Sequence, residues 1–107
     1  MKDEFGSVIG FQWDQGNVHK NMIAHDADNW ECEQVFFNEP LLVLDDRKHF
    51  AVEIRWAAFG KTYGGRLLTV VFTRRGELIR VISARDMNVK ERKFYDENAY
   101  RDTEIQE

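Results

Sequence analysis

The sequence predicts an α+β domain with a single antiparallel sheet of about four to five strands, two N-terminal helices and one C-terminal helix. Two observations support this class. Short β-prone runs separated by turn residues fill residues 41–84, whereas apolar residues at helical spacing precede this segment and a helix-capping motif follows it. Connections this short require consecutive strands to run antiparallel, and we expect the helices to cover one face of the sheet.

The first third of the chain predicts a strand and two helices. Aromatic and β-branched residues favour a strand at residues 8–13. Asp14 can cap a helix through the next residues, in which His25 shares an apolar face with residues one and two turns earlier. Residues 30–37 indicate a second helix, which ends before Pro40 because proline cannot continue the helical hydrogen bonds.

The middle of the chain predicts four strands. Residues 41–44 form a short apolar run, and residues 51–60 show the alternation of a strand with one solvated face. The two most β-prone runs, 67–73 and 78–84, are joined by a short loop with Gly76 at its turn.

A C-terminal helix is predicted directly after the last strand. Asn88, with Glu91 three positions later, matches a capping box, and Tyr95 offers apolar surface that can pack on the sheet. We expect the polar terminal segments 1–10 and 97–107 to be flexible.

Length and composition place the chain among globular proteins. It has 107 residues, which predicts one domain over residues 1–107, and it is 43% hydrophobic and 32% charged. No apolar run is long enough for a membrane span and the N-terminus lacks a signal peptide, so we expect a cytoplasmic protein without a membrane contact. The single cysteine, Cys32, predicts a small semi-buried side chain rather than a nucleophile.

Charge is unevenly distributed along the sequence. Residues 1–54 carry 4 Lys or Arg against 11 Asp or Glu, residues 55–95 carry 10 against 3, and residues 96–107 carry 1 against 5. The net charges of these segments are therefore −7, +7 and −4. A basic middle segment in an acidic chain predicts a local anion-binding surface, although the overall charge is −4.

Familiar catalytic motifs are absent from the sequence. There is no glycine-rich phosphate loop, no G-x-S-x-G elbow, no H-E-x-x-H and no paired C-x-x-C. The histidines and the acidic residues near them do not follow a known metal-ligand spacing, so we expect neither a metal nor another cofactor.

The strongest chemical signal is a cluster of cationic residues at the end of the last strand and the start of the final helix. Arg80, Ser83 and Arg85 lie on the strand, and a basic helix follows. Guanidinium groups suit phosphate because they donate two parallel hydrogen bonds and keep their charge. A solvated sheet face is the simpler explanation for the isolated arginines of the other strands, Arg55, Arg66 and Arg74.

Strand alternation restricts this cluster. On an unbroken strand, Arg80 and Arg85 point to opposite faces, because side chains alternate with a period of two. Either Arg85 lies past the strand end and turns back, or only one of the two arginines belongs to a site. The sequence leaves this choice open.

The chain resembles the BrnT family of type II toxin–antitoxin ribonucleases, whose fold is similar to RelE. The resemblance covers residues 11–95, and its most specific part is the block at 65–85. It is carried by the following segments: "FQWD" (11–14), "VFFNEP" (35–40), "EIRW" (53–56), "GRLLTVVFTRRGELIRVISAR" (65–85) and "KERKFY" (90–95).

The resemblance implies metal-independent RNA cleavage, in which the ribose 2′-hydroxyl attacks the adjacent phosphodiester. This reaction needs a base, an acid and cations that stabilise the phosphorane. Arg80 and Arg85 are the candidates for phosphorane stabilisation, with Ser83 as a further donor. His25 or Tyr95 would serve as acid or base, although packing against the sheet is an equally good explanation for His25 and a better one for Tyr95.

The resemblance also implies an RNA-binding surface and a protein partner. The partner is a cognate antitoxin, in a complex with a toxin homodimer, and the toxin itself is not expected to contact DNA. Phosphate contacts position RNA without specifying its sequence. The expected RNA-backbone contacts are Arg55, Arg74, Arg75, Lys90, Arg92 and Lys93.

A catalytically silent binding module with the same fold is the alternative. Ala24 and Asp26 flank His25 where the family usually has Lys and Gly, and the chain is acidic where family members are commonly basic. These departures favour the binding module, whereas the intact "RVISAR" and "KERKFY" segments favour the ribonuclease.

Overall fold

The described residues form one five-stranded sheet with a helix on each side. The structure, a computed structural model, describes residues 8–18, 26–45 and 53–106, with side chains through Ala99. The strands lie in the order β1-β5-β4-β3-β2. The elements in chain order are β1 (Gly10–Phe11), α1 (Asn29–Phe37), β2 (Leu42–Asp45), β3 (Trp56–Lys61), β4 (Leu67–Arg75), β5 (Leu78–Asp86) and α2 (Val89–Gln106).

The sheet is mixed, which corrects the expectation of a purely antiparallel sheet. Strands β2 to β5 pair antiparallel in sequence order, as predicted. Strand β1 instead runs parallel to β5, with Gly10 opposite Leu78 and Phe11 opposite Ile79. The prediction fails here because β1 and β5 are distant in sequence, so no tight turn fixes their relative direction.

Glycines form the turns that separate the long strands. Gly76 has φ +61 in the two-residue loop between β4 and β5, and Gly65 has φ +91 in the turn between β3 and β4. Left-handed backbone of this kind favours glycine because a Cβ would clash with the chain. The predicted turn at Gly76 is therefore confirmed.

Helix α1 is fixed by a capping box and by a buried stripe. The Asp28 carboxylate accepts the Glu31 amide at 2.8 Å, and the Glu31 side chain accepts the Asp28 amide. Val35 and Phe36 pack on Phe72 and its neighbours in a core on one face of the sheet. Cys32 belongs to this core, and burial raises the pKa of its thiol to about 12.

Helix α2 packs on the opposite face, which corrects the expectation that the helices share one face. Tyr95 and Ala99 form a second core with Leu42 and Phe59. Phe59 follows Ala58, whose side chain belongs to the α1 core, so the two side chains point to opposite faces of β3. The sequence did not reveal that α2 covers the second face. Ala58 and Phe59 are both apolar, so β3 lacks a solvated face that would distinguish the two sides.

Several element boundaries also differ from the predictions. The strands predicted at 8–13 and 51–60 are shorter, since β1 is Gly10–Phe11 and β3 begins at Trp56. Residues 15–18 after Asp14 form a turn, and the rest of the predicted first helix, including His25, lies outside the described residues. The described part of the chain therefore has one N-terminal helix. Helix α2 extends to Gln106, and flexibility of the termini stays a prediction.

None of the described helices is long and apolar enough to span a membrane.

We predict that Phe72→Ala destabilises the fold by about 3–5 kcal/mol, because it removes a large side chain from a packed core. Phe72 is fully buried, and its ring lies 5.0 Å from the Phe36 ring and 5.7 Å from the Trp56 ring, between ring centroids. Urea unfolding measures the change. Val89→Ala, at a position that is 73% exposed, should change the unfolding free energy by less than about 0.5 kcal/mol. Similar effects for the two variants would contradict the assigned core.

Candidate functional site

A β-bulge in β5 determines which residues share a sheet face. Val71 of β4 lies opposite Ser83, but the next residue, Phe72, lies opposite Val81. Ile82 is therefore an extra residue in β5.

The bulge places both arginines of β5 on the same face. Val81 and Ala84 are three residues apart and yet both are buried in the α1 core, which an unbroken strand would not allow. Arg80, Ser83 and Arg85 therefore all point to the opposite face, on which α2 lies. The first alternative, in which Arg85 lies past the strand end, is wrong because Arg85 is within β5. The bulge instead turns both arginines to the same face, and whether both belong to one site stays a prediction.

The three side chains are spread along the strand. The residues of β4 that lie opposite Arg80 and Arg85 are four positions apart, which corresponds to about 13 Å. The residue opposite Ser83 lies midway, about 7 Å from each. A group bound above Ser83 is therefore within reach of long side chains from both sides.

Arg80 is held by a bidentate ion pair with Asp14. Its Nη1 and Nη2 atoms donate to the two Asp14 carboxylate oxygens at 2.7 and 3.1 Å. The Gly16 amide donates to the same carboxylate at 2.8 Å. Hydrogen bonds from Arg80 and from this amide hold the pKa of Asp14 below its ordinary value of 3.8, so the carboxylate is charged at neutral pH.

Arg85 is held in the same way by Glu91. Its Nη1 and Nη2 atoms donate to the Glu91 carboxylate at 2.7 and 2.9 Å. This carboxylate also accepts the Asn88 amide and the Thr69 hydroxyl, at 2.9 and 3.0 Å. The predicted capping box is thereby confirmed, since Asn88 accepts the Glu91 amide at 2.8 Å. The Glu91 side chain therefore caps α2 and also holds the guanidinium group of Arg85 in place.

The remaining arginines of the predicted set lie apart from this cluster. Arg74 pairs with Ile79 in register, so it points to the α1 face, and its Nε donates to the Gly76 carbonyl. Arg75 contacts Glu53 at 3.4 Å. Arg55 lies 4.0 Å from the same carboxylate, and its buried Nε has no hydrogen-bond partner among the residues that the structure describes.

The cations of α2 are exposed. Lys90, Arg92 and Lys93 lie off the stripe that Tyr95 and Ala99 bury against the sheet. No ion pair joins these three side chains to another described residue. Lys90 and Arg92 are the direct sequence neighbours of Glu91. The three cations therefore extend the cationic region beyond Arg85.

The two predicted acid–base residues differ in what the structure says of them. Tyr95 is 1% exposed and its hydroxyl donates to the Pro40 carbonyl, which is the geometry of a side chain that docks its helix. His25 lies outside the described residues. Their catalytic roles stay predictions.

No group of three or more His, Cys, Asp or Glu side chains that could hold a metal ion occurs among the side chains described here. The three histidines are outside that set.

Sequence reasoning missed the partners of the arginines. The sequence indicates only helix-capping roles for Asp14 and Glu91, and it carries no signal for Asn17 or Thr69. The pairing of Asp14 with Arg80 spans 66 positions, which no local motif signals. Arg85 and Glu91 are separated by the end of β5 and the start of α2. Their spacing therefore matches neither strand nor helix periodicity.

The described residues form a small α+β fold in which Arg80, Ser83 and Arg85 lie on one face of the sheet. A family model described as "Ribonuclease toxin, BrnT, of type II toxin-antitoxin system" matches residues 13–91. The chain belongs to this family, as its resemblance predicts. No curated protein matches its sequence.

The Glu91 interactions predict a pH-dependent stability. Burial raises the pKa of Glu91, but hydrogen bonds from Arg85, the Asn88 amide and Thr69 outweigh it and hold the pKa below its ordinary value of 4.5. Because the folded-state pKa is depressed, this stabilisation is complete above 4.5 and is lost as pH falls through the lower, folded-state value.

Glu91→Gln should therefore reduce the loss of stability between pH 6 and acid conditions, as measured by urea unfolding at a series of pH values. Glu97→Gln, at an exposed position of the same helix, is the matched control and should keep the wild-type profile. An unchanged profile in Glu91→Gln would refute the assigned interactions.

Proposed function

We propose that this BrnT-family chain is a metal-independent endoribonuclease, the toxin of a type II toxin–antitoxin pair, and that its active face is formed by Arg80, Ser83 and Arg85. The observation that carries the proposal is the bulge at Ile82, which brings these three side chains to the same face. Family membership supports a ribonuclease toxin in general. The residue roles and the chemistry are our proposal.

The proposed reaction is a transesterification. The ribose 2′-oxygen attacks phosphorus, the bond from phosphorus to the 5′-oxygen breaks, and the products are a 2′,3′-cyclic phosphate and a 5′-hydroxyl. A base removes the 2′ proton and an acid gives a proton to the leaving 5′-oxygen. Negative charge increases on the phosphorane oxygens, and fixed donors aimed at them lower the barrier. His25 is the proposed residue for one of these two proton transfers, and water would complete the other.

Ion pairing does not disqualify the arginines from this role. A guanidinium group has five N–H donors, and each carboxylate occupies only the Nη1 and Nη2 end of its arginine. The Nε atoms of Arg80 and Arg85 make no hydrogen bond within the described residues. Each arginine therefore keeps a donor edge for phosphate while its other edge is held in place.

The helix cations extend this face toward the RNA backbone. Lys90, Arg92 and Lys93 are the proposed phosphate contacts, since they are exposed and lie next to the helix cap that binds Arg85. Arg55, Arg74 and Arg75 remain proposed contacts at the other end of the sheet. Contacts of this type contribute affinity rather than sequence preference.

The type II family implies a protein antitoxin as partner and RNA as substrate. We further propose a RelE-like fold, a toxin homodimer within the complex, a cytoplasmic location and no direct contact of the toxin with DNA. An acidic antitoxin segment is compatible with the same cationic surface.

A catalytically silent binding module is the second candidate. The observation that favours it is the pairing of both β5 arginines with carboxylates, which lowers the net charge of the face. A module of this kind would bind RNA or the antitoxin without cleaving RNA.

We predict that Arg80→Ala and Arg85→Ala each lower the turnover of RNA cleavage by at least tenfold while the fold survives, because each removes donors to the phosphorane. Single-turnover cleavage of an RNA oligonucleotide, in the presence of a chelator, measures the effect, and circular dichroism reports the fold. Lys61→Gln, which removes one charge at the end of β3, should leave turnover unchanged.

Three results would count against the proposal. Wild-type turnover in both arginine variants would remove the assignment of the active face. Loss of wild-type cleavage in chelator would point to a metal. RNA binding without cleavage by the wild-type protein would favour the silent module.

We predict that replacing Lys90, Arg92 and Lys93 together by Gln weakens RNA binding and lowers its salt dependence. Each lost contact to a single-stranded phosphate reduces the slope of log K against log salt by about 0.7, so three contacts correspond to about 2. Fluorescence anisotropy at several salt concentrations measures the slope, with Lys61→Gln as the single-charge control. An unchanged slope would place the RNA elsewhere.

A further inference from the structure

The turn after β1 is attached to β5 by a buried side-chain amide. Asn17 is only 2% exposed, and its Oδ1 accepts the Asp14 amide at 2.8 Å. Its Nδ2 donates to the carbonyls of Gln12 and Val81, at 3.0 Å each. The Asn17 side chain thus accepts one hydrogen bond and donates two, and these bonds fix the turn against the strand that carries Arg80.

The side-chain amide of Asn17 continues the hydrogen-bond pattern of the sheet. The amides of Ile9 and Gln12 donate to the carbonyls of Glu77 and Ile79, both at 2.8 Å. The next carbonyl of β5 on this side belongs to Val81, and Asn17 supplies its donor in place of a backbone amide. The position of the turn is consequently set by the sheet itself.

Gly16 leaves room for the guanidinium group of Arg80. A Cβ atom at this position would lie 2.8 Å from Arg80 Nη2 and 3.2 Å from the nearer Asp14 oxygen. The Gly16 amide also holds that oxygen. The turn thus provides the fixed carboxylate of Asp14 and the open space beside Gly16. Both favour the same orientation of the Arg80 guanidinium group.

We propose that residues 14–17 form a positioning device for Arg80, in which the Asp14 carboxylate orients the guanidinium group before RNA binds. This role rests on the proposed function of Arg80. The alternative role of Asp14 as the general base is disfavoured, because its two oxygens already accept hydrogen bonds from Arg80 and from the turn.

An exposed ion pair without such anchoring usually contributes little to stability, and its side chains remain mobile. Here the carboxylate is immobilised through Asn17, so the ordering of Arg80 is achieved during folding rather than during catalysis. The expected consequence is a faster chemical step rather than a tighter complex.

Asp14→Asn and Gly16→Ala test the device in two ways. The first removes the charge of the carboxylate, and the second keeps it but places a methyl group against Arg80. Each should lower kcat about tenfold with KM changed by less than twofold. Asp86→Asn is the matched control, since Asp86 pairs with Arg66 at 2.7 Å outside the active face, and it should leave both constants unchanged.

A second readout does not depend on RNA cleavage. The heteronuclear NOE of the Arg80 Nε–Hε resonance, measured in the free protein, should fall in Asp14→Asn and stay at the wild-type value in Asp86→Asn. An unchanged NOE in Asp14→Asn would overturn the positioning role, as would wild-type kcat in either turn variant. An increase in kcat or in RNA affinity in Asp14→Asn would also overturn it, because Asp14 would then obstruct the site.

The two proposals can fail separately. If the wild-type protein cleaves no RNA, the ribonuclease function is refuted, and a reduced NOE in Asp14→Asn would still support the ordering of Arg80 by the turn. If the wild-type protein cleaves RNA and the variants match it, only the positioning role is refuted.

Discussion

A single extra residue in β5 is the constraint on which the candidate site depends. Side chains alternate along a strand, so a regular β5 would place Arg80 in one face of the sheet and Arg85 in the other. The bulge at Ile82 removes this conflict without interrupting the strand. It also lets Val81 and Ala84 fill the same core, so the requirements of packing and of the site are met together. Bulges commonly redirect side chains in this way next to functional sites.

The second organising feature is ion pairing between segments of opposite net charge. The acidic N-terminal segment and the basic middle segment are opposite in sign, −7 against +7, and the fold brings them together. Much of the basic charge is consequently used in internal pairs rather than presented to a ligand. Among the described residues, pairs that join these two segments include Arg66 with Glu31, Arg75 with Glu53 and Arg80 with Asp14.

Sequence reasoning succeeded where the signal is local. The turn at Gly76, the strands on either side of it and the capping box at Asn88 and Glu91 all follow from neighbouring residues, and the structure confirms them. It failed where the determinants are distant in sequence, as in the parallel pairing of β1 and the placement of α2 on the second face. The bulge belongs to this second group, because only pairing with β4 distinguishes Ile82 from any other strand residue.

The central claim is that Arg80, Ser83 and Arg85 bind one phosphate group together. The most direct test is an NMR titration of the ¹⁵N-labelled protein with an RNA oligonucleotide whose 2′-hydroxyls are methylated, so that it binds but is not cleaved. We expect the Nε–Hε resonances of both arginines and the amide of Ser83 to shift with one common Kd. Shifts confined to α2, or different affinities reported by the two arginines, would contradict the claim.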